Sequence, residues 1–166
     1  MLTLPQVQYC DARPYAAIRA RLRTPEQVAA WAPLMWAEVR SWLAFEGRLE
    51  AGPPFVRYFE LHEEGPVELE AGLTIFSPLL GAEATGTGSG RIVTGVLSAG
   101  EYATLLHEGP ADELRPARVA LRDWSREQGL RRDVSTDLPD GELFEFYLRD
   151  QETEIALRVP SIPEGL

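Results

Sequence analysis

The fold is decided by residues 100–130, which read GEYATLLHEGPADELRPARVALRDWSREQGL. The stretch opens as an apolar strand and reaches Gly109-Pro110, a dipeptide that ends a strand and allows a helix to begin. Apolar side chains then recur at helical spacing along one face: Leu114, Ala117, Leu121 and Trp124. Gly129 closes the helix, because glycine adopts the left-handed conformation found at helix ends. The stretch therefore predicts a strand followed by an amphipathic helix.

The flanking segments complete a strand-rich unit around this helix. Residues 91–107 read as two strands meeting at a bend, and ELFEFYLRD (142–150) and ETEIALRVP (152–160) read as a hairpin. Residues 81–90, GAEATGTGSG, are small and glycine-rich like a linker. Their spacing is not the G-x-G-x-x-G of a phosphate-binding loop followed by a helix. The second half is predicted to be strands, a helix and a hairpin.

The first half shows the same order. Two strands meet at a bend within 7–21, a helix opens at Thr24-Pro25-Glu26-Gln27 and runs to Gly47, and 55–61 pairs with 67–75. Four positions correspond between the halves: Tyr15 with Tyr102, Trp42 with Trp124, Tyr58 with Tyr147, and Pro78 with Pro160. This correspondence indicates an internal duplication.

The predicted architecture is a single α+β domain over residues 1–166. It consists of two tandem, pseudo-symmetric strand-helix-strand-strand units, with repeat 1 at about 5–80, the linker at 81–90 and repeat 2 at about 91–162. Each unit is expected to form an antiparallel sheet backed by its helix. A ligand cleft is expected between the two units.

Composition excludes several functions. The chain has a net charge of −10, which disfavours direct nucleic-acid binding, and it has no lysine for Schiff-base or P-loop chemistry. Two histidines and one cysteine at no recognised metal spacing argue against a zinc site, and no cofactor is implied. The start shows no signal peptide, no apolar run could span a bilayer, and a single cysteine fits a cytoplasmic location.

Residues 100–160 resemble the gyrase-inhibitor-like (GyrI-like) effector-binding family. The shared pattern is G-x-Y-A-x-x-x-H-x-G-P, then W-x-x-x-x-G-L, E-x-Y-L and x-E-I-x-x-x-V-P. The first half matches only through its duplicated skeleton. The resemblance implies two α+β units whose open sheet faces form a cleft for drug-like ligands. Many members follow a DNA-binding module, and because nothing precedes Val7 that could form one, a stand-alone version is expected.

Strand alternation assigns faces to the last hairpin, because successive side chains point to opposite sides of a sheet. The set expected beneath the helix is Phe144, Phe146, Ile155, Leu157 and Val159. The set expected on the opposite, cleft-forming face is Glu145, Tyr147, Glu154, Ala156 and Arg158. The corresponding set in the first half is Val56, Tyr58, Glu60, Glu68 and Glu70.

The candidate ligand-binding residues are Tyr58, Glu60, Glu145, Tyr147 and Glu154. Tyrosine rings attract a flat or cationic guest through dispersion and cation–π contact, and a partly buried carboxylate supplies a countercharge. The simpler interpretation is that the glutamates are solvated strand residues. His107 is assigned a structural role beside the Gly109-Pro110 turn.

Three functions remain open at this stage. The leading hypothesis is sensing or sequestration of a hydrophobic small molecule, with a lipophilic cation as the natural guest. The second is a hydrolase of reactive electrophilic compounds that uses Glu145, Glu154 and Tyr147, as in some members of the family it resembles. The third is a protein-binding module that meets gyrase or a separate transcriptional regulator, as the family's namesake implies for gyrase.

Overall fold

The structure is a computed structural model that describes residues 4–76, 91–130 and 143–159. The first half contains strands β1 (Gln6–Cys10) and β2 (Arg13–Leu22), helix α1 (Val28–Phe45), and strands β3 (Glu50–Leu61) and β4 (Val67–Ile75). The second half contains β5 (Ile92–Leu97), β6 (Gly100–Glu108), α2 (Arg115–Glu127), β7 (Leu143–Arg149) and β8 (Glu152–Arg158). Single 3₁₀ turns, Pro25–Gln27 and Ala111–Glu113, precede the two helices. The order of elements is therefore the same in both halves.

All eight described strands belong to one antiparallel sheet, in the order β1-β6-β8-β7-β3-β4-β2-β5. The expectation of a separate sheet for each unit is wrong, because β3 pairs directly with β7 and joins the halves. The halves also exchange their first strands, since β1 pairs with β6 and β2 pairs with β5. The architecture is an α+β fold with a continuous central sheet.

The sheet curls because short connections join strands from its opposite ends. β1 and β2 are linked by residues 11–12, and β5 and β6 by residues 98–99, although each pair is far apart in the strand order. The inner face of this curl holds a buried aromatic cluster that includes Phe55, Tyr102, Phe144 and Phe146. Aromatic side chains, and not a helix, therefore bury the inner face of the sheet.

Both helices pack on the other side of the sheet, called here the helix face. α1 lies on β2, β3 and β4, and α2 lies on β6 and β8. Gly47 and Gly129 follow the helices with φ of +70° each, so the predicted glycine stops are confirmed. Within the described residues, neither helix is long and apolar enough to cross a membrane. The glycine-rich segment 81–90, Pro78 and Pro160 lie outside the described residues.

The predicted faces of β7 are wrong. Phe144 and Phe146 stand opposite Ala156 and Glu154 on the inner face, whereas Glu145 stands opposite Ile155 on the helix face. Directly paired residues project to the same side of an antiparallel sheet, so β8 follows the prediction and β7 reverses it. The reason is that β7 is buried on both faces, so its apolar residues do not identify the side that meets the helices.

The residues of the first half that were predicted to share one face of the sheet lie on both faces. Val56 and Tyr58 lie on the helix face, but Glu70 pairs with Arg57 on the inner face. A register shift between Tyr58 and Glu60 then places Glu60 opposite Glu68, on the same side as Glu70. A strand that shifts its register cannot be assigned by simple alternation over its whole length.

Gly72 of β4 packs closely against Ala16 and Ala17 of β2, and its replacement tests this packing. An added Cβ would lie 2.4 Å from the backbone oxygen of Ala16 and 2.6 Å from the Cβ of Ala17. We expect Gly72→Ala to lower the free energy of unfolding by about 1–3 kcal/mol, measured by urea denaturation. Gly65→Ala is the control, because the nearest atom to a Cβ added at Gly65 is the Cβ of His62, at 3.2 Å. Equal effects of the two substitutions would contradict this strand packing.

Candidate functional site

A pocket opens on the helix face between the 3₁₀ turns that precede α1 and α2. Its enclosed space is about 20 Å³, room for about one water molecule, and the volume reaches about 280 Å³ only when the open solvent at its mouth is counted. Its apolar lining comes from Pro25, Val28 and Leu114. The aromatic and charged lining comes from Tyr58, Tyr147, Glu145 and Arg118. The pocket therefore combines a small apolar wall with a larger set of polar and charged groups.

Glu145 lies at the centre of the polar groups and is fully buried. Its Oε1 accepts hydrogen bonds from the hydroxyls of Tyr58 at 2.7 Å and Tyr147 at 2.9 Å. Its Oε2 accepts a hydrogen bond from Nη1 of Arg118 at 2.8 Å. A buried carboxylate is costly unless it is paired and hydrogen-bonded, and these three donors meet both requirements.

Arg118 links this carboxylate to the first half of the chain. Its Nε and Nη2 donate to the two carboxylate oxygens of Glu63, each at 3.0 Å, in a bidentate arrangement. Only 7% of the Arg118 side chain is exposed. Burial lowers the pKa of Arg118, but the nearby carboxylates of Glu145 and Glu63 outweigh it and raise the pKa above its ordinary value. The guanidinium is therefore permanently charged and bound on both sides.

The two tyrosines of the pocket are held as neutral phenols. Burial, and then the charge of Glu145, raises the pKa of both Tyr58 and Tyr147 well above the ordinary value. Each hydroxyl proton points to the carboxylate, so the phenols act as donors to Glu145. Neither tyrosine is suited to act as a phenolate base or nucleophile near neutral pH.

Trp36 of α1 supports the ring of Tyr147. The ring centroids lie 4.9 Å apart, and Nε1 of Trp36 donates to the backbone oxygen of Phe55 at 2.9 Å. This hydrogen bond ties α1 to β3 and fixes the indole against Tyr147. Trp36 makes the contact with a lining residue, while Trp31 is 49% exposed on the outside of α1.

The structure brings together three of the five predicted site residues: Tyr58, Glu145 and Tyr147. Glu60 lies apart, on the side of the sheet away from the pocket, where it contacts His62 at 2.9 Å and Arg21 at 3.5 Å.

Glu154 also lies apart, on the inner face opposite Phe146. Burial raises the pKa of its carboxyl, while Arg13 and a hydrogen bond with Gln8 act in the opposite direction. Glu154 and Glu145 therefore project to opposite sides of the sheet and cannot share one cleft.

Sequence reasoning missed Arg118 and Glu63. Arg118 sits four residues after Leu114 and three before Leu121, on the buried stripe of α2. An arginine within the apolar stripe of an amphipathic helix signals a buried partner, and this signal was present in the sequence. Glu63 lies in the β3–β4 turn, where one more acidic residue carries no such signal.

His107 is buried beside Gly109, as expected for a structural residue. Neither ring nitrogen has a hydrogen-bond partner among the described residues, so its contribution to the turn is packing. An added Cβ at Gly109 would lie 3.1 Å from Nε2 of His107, and Gly109 itself has a φ of +146°. The histidine thus packs where only glycine fits.

Taken together, the fold and the site describe an α+β domain with a pocket between the starts of its two helices. The model of the GyrI-like small molecule binding domain matches residues 5–160. The chain belongs to this family, as its sequence motifs indicated. A comparison with curated proteins gives no match.

Several solved structures share the fold. The C-terminal domain of EcmrR matches with a TM-score of 0.71 at 17% identity, over 96% of this chain and 98% of that chain. EcmrR in complex with DNA gives 0.73 at 17% identity over 96% of this chain, which spans 58% of that longer chain. SAV2435 bound to tetraphenylphosphonium gives 0.56 at 12% identity, over 96% and 95% of the two chains. A hydrolase from Listeria innocua gives 0.60 at 13% identity, over 94% and 91%. At these identities, the likeness establishes a common fold.

The buried ion pair between Arg118 of α2 and Glu145 of β7 can be compared with a partly exposed pair between two strands. A double-mutant cycle with Arg118→Met and Glu145→Gln should give a coupling energy of at least about 2 kcal/mol, because Arg118→Met leaves the buried carboxylate of Glu145 without its countercharge. The matched cycle uses Arg19 and Glu68, which are 3.0 Å apart but partly exposed, and should give less than about 0.5 kcal/mol. Urea denaturation measures both cycles. Similar coupling energies would contradict the burial of the Arg118–Glu145 pair.

Proposed function

We propose that this protein binds a small, largely apolar aromatic molecule in the pocket between the starts of α1 and α2, and so senses or sequesters it. The observation that carries the proposal is the buried cluster of Glu145, Arg118, Tyr58 and Tyr147 beside an apolar wall. A polar cluster that is held by several hydrogen bonds is rigid, and a rigid site loses little conformational freedom when a ligand binds.

The lining favours a flat ligand. The ring of Tyr147 is fixed by Trp36, and Pro25, Val28 and Leu114 supply apolar surface around the opening. Burial of apolar ligand surface contributes about 25 cal/mol per Å², and stacking on an aromatic ring adds about 0.5–1.5 kcal/mol. Affinity in this pocket would therefore come from ring contacts, with the polar cluster setting the orientation of the ligand.

Binding ranks above hydrolysis for this pocket. A hydrolase would need a carboxylate with an available lone pair to deprotonate water. Glu145 already accepts three of the about four hydrogen bonds that a carboxylate can accept, so about one position is left for a water, next to Arg118. Glu154, the second carboxylate of the hydrolase hypothesis, lies on the opposite side of the sheet. The hydrolase label of the Listeria innocua structure therefore adds only a fold likeness.

The family description and the EcmrR structures support an effector role. EcmrR carries a domain of this fold in a longer chain that is found on DNA. The net charge of −10 opposes direct contact of the present domain with phosphates. We propose that any effect on transcription passes through a separate module or partner chain, and that the location is the cytoplasm.

A variant that fills the pocket tests this proposal. Ala111→Trp places a large ring at a lining position and should abolish binding, whereas Ala99→Trp, exposed in the β5–β6 connection, should leave binding unchanged. Thermal-shift screening with bicyclic aromatic compounds should identify ligands that stabilise the wild-type protein. A ligand at 100 times its Kd adds about 2.7 kcal/mol. Binding that survives in Ala111→Trp would place the ligand elsewhere.

The glutamates provide a second test of the same site. Glu145→Gln should weaken binding of any ligand so found by about tenfold, because the polar cluster loses its charge and its fixed geometry. Glu154→Gln is the matched control on the inner face and should change the Kd by less than about twofold. Isothermal titration calorimetry measures both. The reverse order of effects would move the site to the inner face.

A further inference from the structure

We infer that the pocket selects uncharged aromatic ligands that carry a hydrogen-bond acceptor, such as a carbonyl group, and rejects cations, because Arg118 already occupies the cation position beside Glu145. This inference rests on the proposed function, since it names the ligand class of the same pocket. It also replaces the lipophilic cation that the expected tyrosine and glutamate lining favoured.

The negative charge of Glu145 is already neutralised by a side chain of the protein, Arg118. Oε2 of Glu145 is bound to Arg118 at 2.8 Å, and Oε1 is bound by two phenols. The acceptor position left on Oε2 lies beside the Arg118 guanidinium, so a ligand cation placed there would be repelled. To replace that guanidinium, the cation would have to break a buried ion pair whose arginine is only 7% exposed and also forms two bonds with Glu63, which is costly.

Carboxylates at the mouth do not reverse this preference. Glu26 and Asp112 line the opening, but both are exposed. Interactions between exposed charges are weak because water and salt screen them, with a median contribution of about 0–1 kcal/mol. These residues can raise the local concentration of a cation without supplying a buried countercharge.

The donors of the cluster define the complementary group on the ligand. Both phenol hydroxyls donate to Glu145, so their protons are already used. A guanidinium has five N–H groups. Three of those on Arg118 have partners, and the other two have none among the described residues. Arg118 lines the pocket, so it can donate to a ligand acceptor.

An anionic ligand is disfavoured by the same geometry. Glu145 and Glu63 lie within hydrogen-bond distance of Arg118 and already neutralise its charge. A ligand carboxylate near Arg118 would therefore meet two carboxylates and one guanidinium. Like charges at short range in a poorly solvated site repel strongly. A neutral acceptor gains the hydrogen bond without this repulsion.

Three probes of nearly equal shape separate these cases: 2-naphthamide, 2-naphthamidinium and 2-naphthoate. They share one flat bicyclic ring and differ in the charge of the attached group. Isothermal titration calorimetry at neutral pH should show that the wild-type protein binds 2-naphthamide at least tenfold more tightly than either charged probe. Equal or tighter binding of 2-naphthamidinium would overturn the inference.

Removal of Arg118 should reverse the selectivity. In Arg118→Met, the carboxylate of Glu145 loses its countercharge, so 2-naphthamidinium should bind at least tenfold more tightly than to the wild type and should raise the Tm of the variant. Arg118→Met/Glu145→Gln removes both charges and should lose this gain. The double variant guards against poor folding of the single one. An unchanged Kd for the amidinium in Arg118→Met would contradict the cation position assigned to Arg118.

The pocket-filling variant distinguishes the two proposals. If all three probes bind the wild type equally and Ala111→Trp abolishes that binding, the pocket stands and the charge selectivity is wrong. If none of the probes binds the wild type or Arg118→Met, both the pocket and its selectivity are contradicted. If only 2-naphthamide binds the wild type and Ala111→Trp abolishes its binding, both are supported.

Discussion

The buried carboxylate of Glu145 is the constraint on which the rest of the site depends. An ionised carboxylate without partners is very costly to bury, so the chain must bring donors to it. Tyr58 comes from β3, Tyr147 from β7 and Arg118 from α2. These elements belong to different halves of the chain, and their donors meet beside the β3–β7 pairing that makes the sheet continuous. One charged group therefore fixes the sheet junction and the position of α2 relative to it.

The same group determines the electrostatics of the pocket. Arg118 satisfies Glu145 on one side and Glu63 on the other, so its charge is compensated before any ligand enters. A shared fold does not fix the ligand class, because function lies in the site residues that a fold carries. SAV2435 has been seen with tetraphenylphosphonium, a cation, on a related fold. The internal guanidinium is the feature from which we infer a different preference here.

The sequence was sufficient for the family, the element order and the glycine helix stops, because these follow from local patterns in GEYATLLHEGP, in Gly47 and in Gly129. It was not sufficient for the faces of β7. Phe144 and Phe146 look like residues beneath a helix, yet they fill the inside of a curl that depends on pairing between distant strands. The roles of Arg118 and Glu63 also depend on this pairing, because 55 residues separate them in the chain.

The central claim is that a neutral aromatic ligand binds on the helix face with its acceptor at Arg118. A crystal structure with 6-bromo-2-naphthamide tests it most directly, because anomalous scattering locates the bromine independently of the protein density. The account predicts the naphthalene ring against Tyr147, with the carbonyl oxygen within hydrogen-bond distance of the Arg118 guanidinium and the Arg118–Glu145 bond intact. A bromine peak on the inner face, beside Glu154 and Phe146, would contradict it.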